Sequence, residues 1–353
     1  DSLQVLCDRA GVIISTVGPY ALYGELLVKL CALSGTDYCD LTGEAQWIKR
    51  MVERYENEAR ASGARIVHSC GFDSIPSDLG VKFLQDLAQE NFGAYCNHVK
   101  MRVKATKGGA SGGTIASALN LVQEAAKEPS LRQELKDPYS ICPLGHSFKA
   151  RQKTVAVEYD EDFNSWVGPF LMAAINQRIV LRTNALLSRP YDPDFTYDEG
   201  TLTGDGRKGE KRAKRLSTVS SIGMVGVSLP PIRWLATRFF LPKPGEGPSL
   251  EQQDKGFFDL RFFGSNDQGG KIIVKVTGDK DPGYGATAKM LAQAGISLCR
   301  DVDKGSLPGG FWTPASVFGA RLFERLQAHA GMTFEALSVL NPQSQHDNVT
   351  DMN

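Results

Sequence analysis

The sequence predicts an α/β protein in which a partial doubly wound parallel sheet is followed by an α+β domain. The first observation is the regular alternation of apolar strand-like runs and amphipathic helices over the first third of the chain. The second is the shortness of the connections, which favours parallel strands joined by right-handed crossovers. The third is a change after about residue 97, where strands with one polar face begin. We therefore expect two domains, over residues 1–96 and 97–330, and a C-terminal tail over 331–353.

The first third supplies three strands and their connecting helices. Residues 12–17 form a β-branched run that is typical of a buried parallel strand. The tripeptide Gly-Pro-Tyr at 18–20 ends this run, and Gly63 supplies a C-terminal stop for a later helix. The predicted elements are strands over 12–17, 37–42 and 64–70 and helices over 23–33 and 45–61, with a further helix capped by Ser74 or Ser77.

The second part mixes helices with antiparallel strands. Two alternating segments, 257–265 and 271–278, flank the turn-forming residues 266–270 and predict a β-hairpin. A strand is expected over 99–106, and helices over about 114–126, 166–187, 284–299 and 314–330. A domain of this kind beside a parallel sheet commonly covers the ligand cleft.

Composition excludes several classes of partner. The 40 basic and 40 acidic residues give a net charge of +0, so no overall field attracts nucleic acid. The seven cysteines are scattered without a C-x-x-C motif, which indicates reduced thiols and a cytoplasmic location rather than a disulfide framework. The five histidines never occur at metal-ligand spacing, so no metal site is expected.

Three turns follow the carboxyl ends of the predicted parallel strands, where open α/β sheets bind ligands. Gly18 and Pro19 either end a strand or let a ligand approach the backbone closely. Glu44 either complements a helix dipole or acts in catalysis, and Asp73 is either an N-cap or a catalytic carboxylate. Because all three turns should converge on one edge, each candidate gains weight from the others. On the predicted helix over 166–187, Asn176, Arg178, Arg182 and Asn184 either bind an anionic substrate group or pair with acidic neighbours.

Residues 207–241 suggest contact with a membrane surface. A basic run over 207–215 precedes an apolar stretch over 222–241, which prolines and arginines interrupt too often for a transmembrane span. The aromatic and aliphatic residues beside these arginines suit an interfacial segment; they are Trp234, Leu235, Phe239 and Phe240. The alternative is a loop that packs on the second domain.

Several runs in order resemble the saccharopine dehydrogenase-like oxidoreductases, particularly the trans-acting enoyl reductase branch. The runs are STVGPYALYGE (15–25), YCDLTGE (38–44), GFDSIPSDLG (71–80), GGT (112–114), PFLMAAINQRIVLRTNAL (169–186), DPGYGATAKMLAQ (281–293) and GGFWTPASVFG (309–319). The resemblance implies an NAD(P)-binding Rossmann domain, a substrate domain, and hydride transfer linked to lipid and glycolipid assembly. Animal relatives in the family are associated with lipid droplets.

The resemblance implies NADP or NAD as the cofactor, and the position of the three turns then makes their residues candidates for the site. The cofactor-binding candidates are Val17, Gly18, Pro19, Tyr20, Gly43, Gly71 and Phe72, and the catalytic candidates are Tyr23, Glu44 and Asp73. The expected function is an NAD(P)H-dependent oxidoreductase of a lipid or acyl substrate, with enoyl reduction as its reaction. The alternatives are a non-catalytic lipid-surface protein that keeps the fold as a scaffold, and a saccharopine dehydrogenase proper. A homodimer stays open.

The chain departs from the family pattern at its start. The glycine-rich phosphate loop that follows the first Rossmann strand in the family is absent, as are the next two strands. At about 30 residues per βαβ unit, roughly 60 residues are expected upstream. We therefore expect the chain to be part of a longer gene product, with residues 12–17 as an exposed apolar edge.

Overall fold

The computed structural model describes residues 2–109, 111–187, 191–239 and 246–341. The strands are β1 Val12–Ser15, β2 Asp37–Asp40, β3 Arg65–Val67, β4 His98–Lys107, β5 Glu158–Asp160, β6 Ser165–Gly168, β7 Thr196–Gly204, β8 Phe257–Ser265, β9 Lys271–Gly278, β10 Gly310–Trp312 and β11 Met332–Leu340. The helices are α1 Ser2–Arg9, α2 Tyr20–Tyr23, α3 Glu25–Ser34, α4 Ala45–Ser62, α5 Ile75–Phe92, α6 Gly112–Lys127, α7 Pro129–Glu134, α8 Ala173–Leu186, α9 Gly206–Ser228, α10 Pro230–Phe239, α11 Leu250–Asp254, α12 Gly285–Arg300, α13 Pro314–Phe318 and α14 Ala320–His329.

Four parallel strands form the first sheet in the order β1, β2, β3, β10. Side chains alternate between its two faces, as strand geometry requires. Tyr38 and Ile66 join one buried cluster with α3 and α4, whereas Cys39 and Val67 join the other with α5 and α12. Helices therefore cover both faces, which confirms the predicted doubly wound α/β architecture.

The second sheet has seven strands in the order β11, β9, β8, β4, β7, β6, β5. Its neighbours pair antiparallel except for β4 and β7, which pair parallel. The hairpin of β8 and β9 has the predicted bounds. β11, which the sequence analysis places in a tail, is an edge strand of this sheet.

The first sheet takes its fourth strand from far along the chain. β10 pairs with β3 through Gly310 opposite Arg65, so residues assigned by prediction to the second domain complete the first sheet. The division at residues 96 and 97 stays a prediction. β1 is the outer strand on the other side, and 44% of Ile14 is exposed there.

Three expected elements differ in detail. The segment 166–187 divides into β6 and α8, and the helix expected over 314–330 divides at Gly319, whose φ of 52° ends α13. The segment 207–239 is a pair of helices, α9 and α10, rather than a loop. Among the described residues, no helix combines the length and apolar character needed to cross a bilayer.

Candidate functional site

The carboxyl ends of β1, β2 and β3 meet at one edge of the first sheet. We call the three turns there, residues 16–21, 41–44 and 68–74, the rim. Tyr20 lies between the first two turns, because its hydroxyl donates to the Ser15 carbonyl at 2.9 Å and accepts from the Leu41 N–H at 3.5 Å. The Ser69 hydroxyl donates to the Thr42 carbonyl at 2.7 Å and joins the second turn to the third. The predicted convergence of the three turns is therefore present.

Asp40, at the end of β2, holds two of these turns through hydrogen bonds to its carboxylate. One oxygen of its buried carboxylate accepts the Thr42 N–H at 3.1 Å and the Ser69 N–H at 3.2 Å. The other lies 2.8 Å from Nδ1 of the buried His68. Ser69 has a φ of 61°, a left-handed conformation that costs free energy unless the surroundings hold it. The Asp40 carboxylate supplies that support.

Glu44 holds the first turn against the second. Its carboxylate is buried and accepts hydrogen bonds from the Tyr20 N–H at 2.8 Å, the Ala21 N–H at 3.0 Å and the Ser117 hydroxyl at 2.7 Å. The first two donors open α2, and Ser117 belongs to α6. The side chain thus joins a helix N-terminus to a helix that follows β4, a positioning role.

Replacing Glu44 by alanine is expected to lower the free energy of unfolding by about 2 kcal/mol, because three donors lose a charged acceptor. Urea unfolding followed by circular dichroism measures the loss. Glu53→Ala is the matched control, since Glu53 forms an exposed i,i+4 pair with Lys49 on the surface of α4 and should change stability by less than about 0.5 kcal/mol. Equal losses in the two variants would remove Glu44 from this role.

Asp73 and Gly43 face each other across the rim. A methyl group at Gly43 would lie 3.4 Å from Oδ2 of Asp73 and 3.8 Å from the end of Met172. Asp73 is half-buried, and loss of hydration raises the pKa of its carboxyl to about 6. Ser74, rather than Asp73, occupies the N-cap position of α5. The rim therefore presents a glycine backbone beside a carboxyl group that can exchange a proton near neutral pH.

Gly71 and Phe72 lie where the third turn meets α12. The Phe72 N–H donates to the Thr287 hydroxyl at 3.0 Å, and the Phe72 ring lies 5.0 Å from that of Phe258 in β8. A methyl group at Gly71 would lie 3.1 Å from Thr287 and 3.2 Å from Leu41. Close packing here explains a glycine at position 71.

The remaining candidates differ in how exposed they are to solvent. Val17 and Tyr23 are exposed, with 64% of Tyr23 accessible, whereas Pro19 and Tyr20 are buried and Gly18 is intermediate. Burial raises the pKa of Tyr20 far above its ordinary value, and the nearby Asp40 adds to this effect, so Tyr20 stays a neutral phenol. Its hydroxyl is also bonded on both sides, which suits a structural member of the rim.

A buried polar chain lies behind the rim, and of its members the sequence analysis named Asn176 as a candidate but missed Tyr197 and Glu199. The Ser74 hydroxyl donates to the Asn176 amide oxygen at 3.2 Å, and the Asn176 amide donates to Glu199 at 2.9 Å. The Tyr197 hydroxyl donates to the other oxygen of Glu199 at 2.6 Å. Burial raises the pKa of Glu199 to about 7. The alternation of β7 could have shown that Tyr197 and Glu199 share a face, but not that this face meets α8.

The two arginines of α8 donate to backbone carbonyls. Arg178 donates to the carbonyls of Ala174 and Leu135, each at 2.6 Å, and Arg182 donates to the Phe311 carbonyl at 2.8 Å. Both are buried, and burial lowers the pKa of each guanidinium. These carbonyl contacts favour a structural role for both side chains.

The opposite edge of the first sheet carries a cavity of about 400 Å³. Its walls include the amino ends of β1, β2 and β3 and the C-terminus of α12, with the buried ion pair of Asp37 and Arg65 at one side. In the parts of the chain that the structure describes, no three His, Cys, Asp or Glu side chains are grouped so as to hold a metal ion.

Comparison with known proteins places the chain among bacterial relatives. A Mycobacterium tuberculosis (strain H37Rv) protein provisionally named a trans-acting enoyl reductase is 37% identical over 350 residues, which cover 95% of this chain and 82% of the relative. Trans-acting enoyl reductases of Mycobacterium bovis BCG and Mycobacterium ulcerans are each 32% identical, covering 92% of this chain and 80% of theirs.

The other comparisons add little. No family model matches the chain. The solved structure of an amine dehydrogenase from Mycobacterium smegmatis matches 88% of this chain and 77% of its own length, but its TM-score of 0.36 and 11% identity are too low to support an argument. The identity and coverage of these sequence relatives show that this chain belongs to the trans-acting enoyl reductase family.

Proposed function

We propose that this protein is an NAD(P)H-dependent oxidoreductase that reduces the carbon–carbon double bond of an acyl substrate, with the nicotinamide end of the cofactor at the rim. The observation that carries the proposal is the juxtaposition of Gly43 with the half-buried Asp73 carboxyl. This pair lies at the carboxyl edge of a parallel sheet, where α/β proteins bind nucleotides. The names of the family relatives support the reaction.

The rim fits one part of such a cofactor better than another. Gly18 and Gly43 present backbone without side chains, which leaves room for a ribose or a nicotinamide amide. The N–H groups of Tyr20 and Ala21 are already bonded to Glu44, so we do not assign the pyrophosphate to them.

The residues of the rim then have distinct roles. When bound, the reduced cofactor supplies a hydride to the β-carbon of the enoyl group, and a proton must reach the α-carbon. Asp73 holds that proton, because its pKa of about 6 keeps part of the carboxyl protonated at neutral pH. Glu44 positions the first turn. Tyr23 is exposed beside it and stays an alternative donor.

Replacing Asp73 by asparagine tests this assignment. We expect kcat for NADPH-dependent reduction of a short enoyl thioester to fall by about 100-fold, with the Kd for NADPH unchanged. NADPH fluorescence measures binding, and loss of NADPH absorbance measures turnover. Asp267→Asn, in the exposed turn between β8 and β9, is the matched control and should behave as the wild type.

Two outcomes contradict the proposal at different points. If Asp73→Asn keeps full activity while Tyr23→Phe loses it, the proton donor is Tyr23. The reductase assignment fails if the fluorescence of NADPH does not change when either this chain or a form extended at its amino end is added.

The same proposal includes finer assignments. We place the protein in the saccharopine dehydrogenase-like branch, in the cytoplasm, acting on a lipid-like acyl substrate. Burial of most of its free thiols supports a reducing compartment. A homodimer remains part of the proposal to be tested by light scattering.

A second function, a non-catalytic scaffold at a lipid surface, is favoured by one observation, the exposed apolar residues of α9 and α10. Absence of NADPH binding together with membrane binding would favour it.

A further inference from the structure

Helices α9 and α10 form a hairpin. Its base, around residues 213–216 of α9, packs against the second sheet. At the base, Ala213 is buried and Leu216 packs against Gly168, where a methyl group would lie 3.0 Å from the Leu216 side chain. Beyond this point the described side chains of α9 are largely exposed. The distal part of the hairpin therefore projects from the second sheet.

The projecting part carries apolar side chains on both helices. Ile222 is 66% exposed and Phe239 is 64% exposed. The other exposed apolar residues of the hairpin are Val219, Leu229, Ile232, Trp234 and Leu235. The rings of Trp234 and Phe239 lie 6.4 Å apart, so the apolar surface is continuous across α10. Apolar surface grouped in this way marks an interaction site. Phe240, which the sequence analysis included, lies outside the described residues.

Basic residues line the base of the same outward surface. Lys208, Lys211 and Arg215 are spaced by three and four, so they share the face of α9 opposite the buried Ala213. Ile222 lies on that face two turns further along. At 1.5 Å per residue, Arg215 and Ile222 are separated by about 10 Å along the axis. Cations at the base and apolar groups at the tip thus follow one another along a single face.

We propose that the α9–α10 hairpin, residues 206–239, docks on an anionic lipid bilayer, with its distal part in the interface and the basic face of α9 against the lipid phosphates. Helices that lie in this interface bury an apolar face to a depth of about 5–10 Å, and the exposed apolar residues of α9 and α10 supply such a face. Lysine and arginine at the base complement anionic headgroups.

α6 connects α9 to the rim, because α9 packs against α6 and Ser117 of α6 donates to Glu44. The inference does not depend on the reductase activity, because the hairpin contacts stand without any assumption about the rim.

Flotation of the full chain with vesicles tests the proposal. We expect binding to phosphatidylcholine vesicles that contain phosphatidylglycerol, little binding to phosphatidylcholine alone, and weaker binding as salt rises. Ile222→Glu/Phe239→Glu should weaken binding by about tenfold or more, because two apolar groups are lost from the interface. Leu144→Glu/Leu250→Glu is the matched control, because these two leucines are more exposed than Ile222 and Phe239 and lie elsewhere on the surface.

The basic face has its own variant. Lys208→Gln/Lys211→Gln/Arg215→Gln should weaken binding by about 100-fold, at about fivefold for each cation removed. The control Lys29→Gln/Arg132→Gln/Arg321→Gln removes the same charge from exposed positions elsewhere and should have a much smaller effect. Circular dichroism confirms that each variant is folded.

Three results would overturn the proposal. One is a wild-type chain that does not float with anionic vesicles, and another is flotation that Ile222→Glu/Phe239→Glu leaves unchanged. The third is a dimer in light scattering that the same double substitution dissociates, without vesicle binding, because the hairpin would then cover a second copy of the chain.

Discussion

Replacing Arg102 by methionine is expected to lower the free energy of unfolding by about 3–5 kcal/mol. Arg102 is fully buried in β4, where it donates to Asp160 at 2.8 Å and to Asp198 at 2.6 Å. These partners belong to β5 and β7, so the guanidinium links three strands of the second sheet. Removing it leaves the buried Asp198 carboxylate without this guanidinium, and leaves Asp160 with the more distant Lys100 at 3.4 Å. Urea unfolding at neutral pH measures the loss.

An exposed ion pair supplies the control for this prediction. Arg54 donates to Glu25 on the surface, and Arg54→Met should cost less than about 1 kcal/mol because solvent already screens the pair. A loss as small as that of Arg54→Met would show that burial of Arg102 does not have the consequence we infer.

Replacing Glu199 by glutamine is expected to change how stability depends on pH. Burial raises the pKa of Glu199 from 4.5 to about 7, so the folded chain holds a proton that the unfolded chain releases between about pH 4.5 and 7. The free energy of unfolding therefore falls as pH rises through this window and levels off above it. Glu199 accounts for about 3 kcal/mol of that fall. Glutamine does not titrate, so its contribution should vanish.

Asp78 also makes the free energy of unfolding fall as pH rises, so it affects what share of the fall belongs to Glu199. It is buried, and the loss of hydration raises its pKa to about 7. Asp73, whose pKa is raised to about 6, adds a smaller decline in the lower part of this range. Glu199→Gln should therefore remove roughly two fifths of the decline between pH 5 and 7.5, as measured by urea unfolding at several pH values. Glu335→Gln, on the surface of β11, should leave the decline unchanged. An unaltered pH profile in Glu199→Gln would mean that Glu199 is ionised in the folded state throughout.

Local sequence signals predicted the elements whose form depends on their own residues. The hairpin of β8 and β9 follows from alternation on either side of residues 266–270, and α4 ends at Gly63, whose φ of 82° favours glycine. β10 gave no such signal, because three residues are too few to show a period. Its identity as a strand depends on the edge that β3 offers.

The candidate site was predictable only in part, for the same reason. The positions of the three turns follow from strand order along the chain. The hydrogen bonds that give each residue its role involve helices from other parts of the chain. They join Glu44 with Ser117, Ser74 with Asn176, and Phe72 with Thr287. These contacts depend on how α6, α8 and α12 dock, which no local pattern specifies.

The return of β10 to β3 has a consequence for synthesis on the ribosome. Arg65 and its neighbours leave the exit tunnel more than two hundred residues before Gly310, which must pair with them. Until then β3 has one unpaired side, and the nascent chain carries a strand edge open to other chains. Completion of the first sheet waits for contacts distant in sequence, which slows folding and exposes the intermediate to aggregation. The strand order therefore leaves β3 open to pairing with other chains until residue 310 has been synthesised.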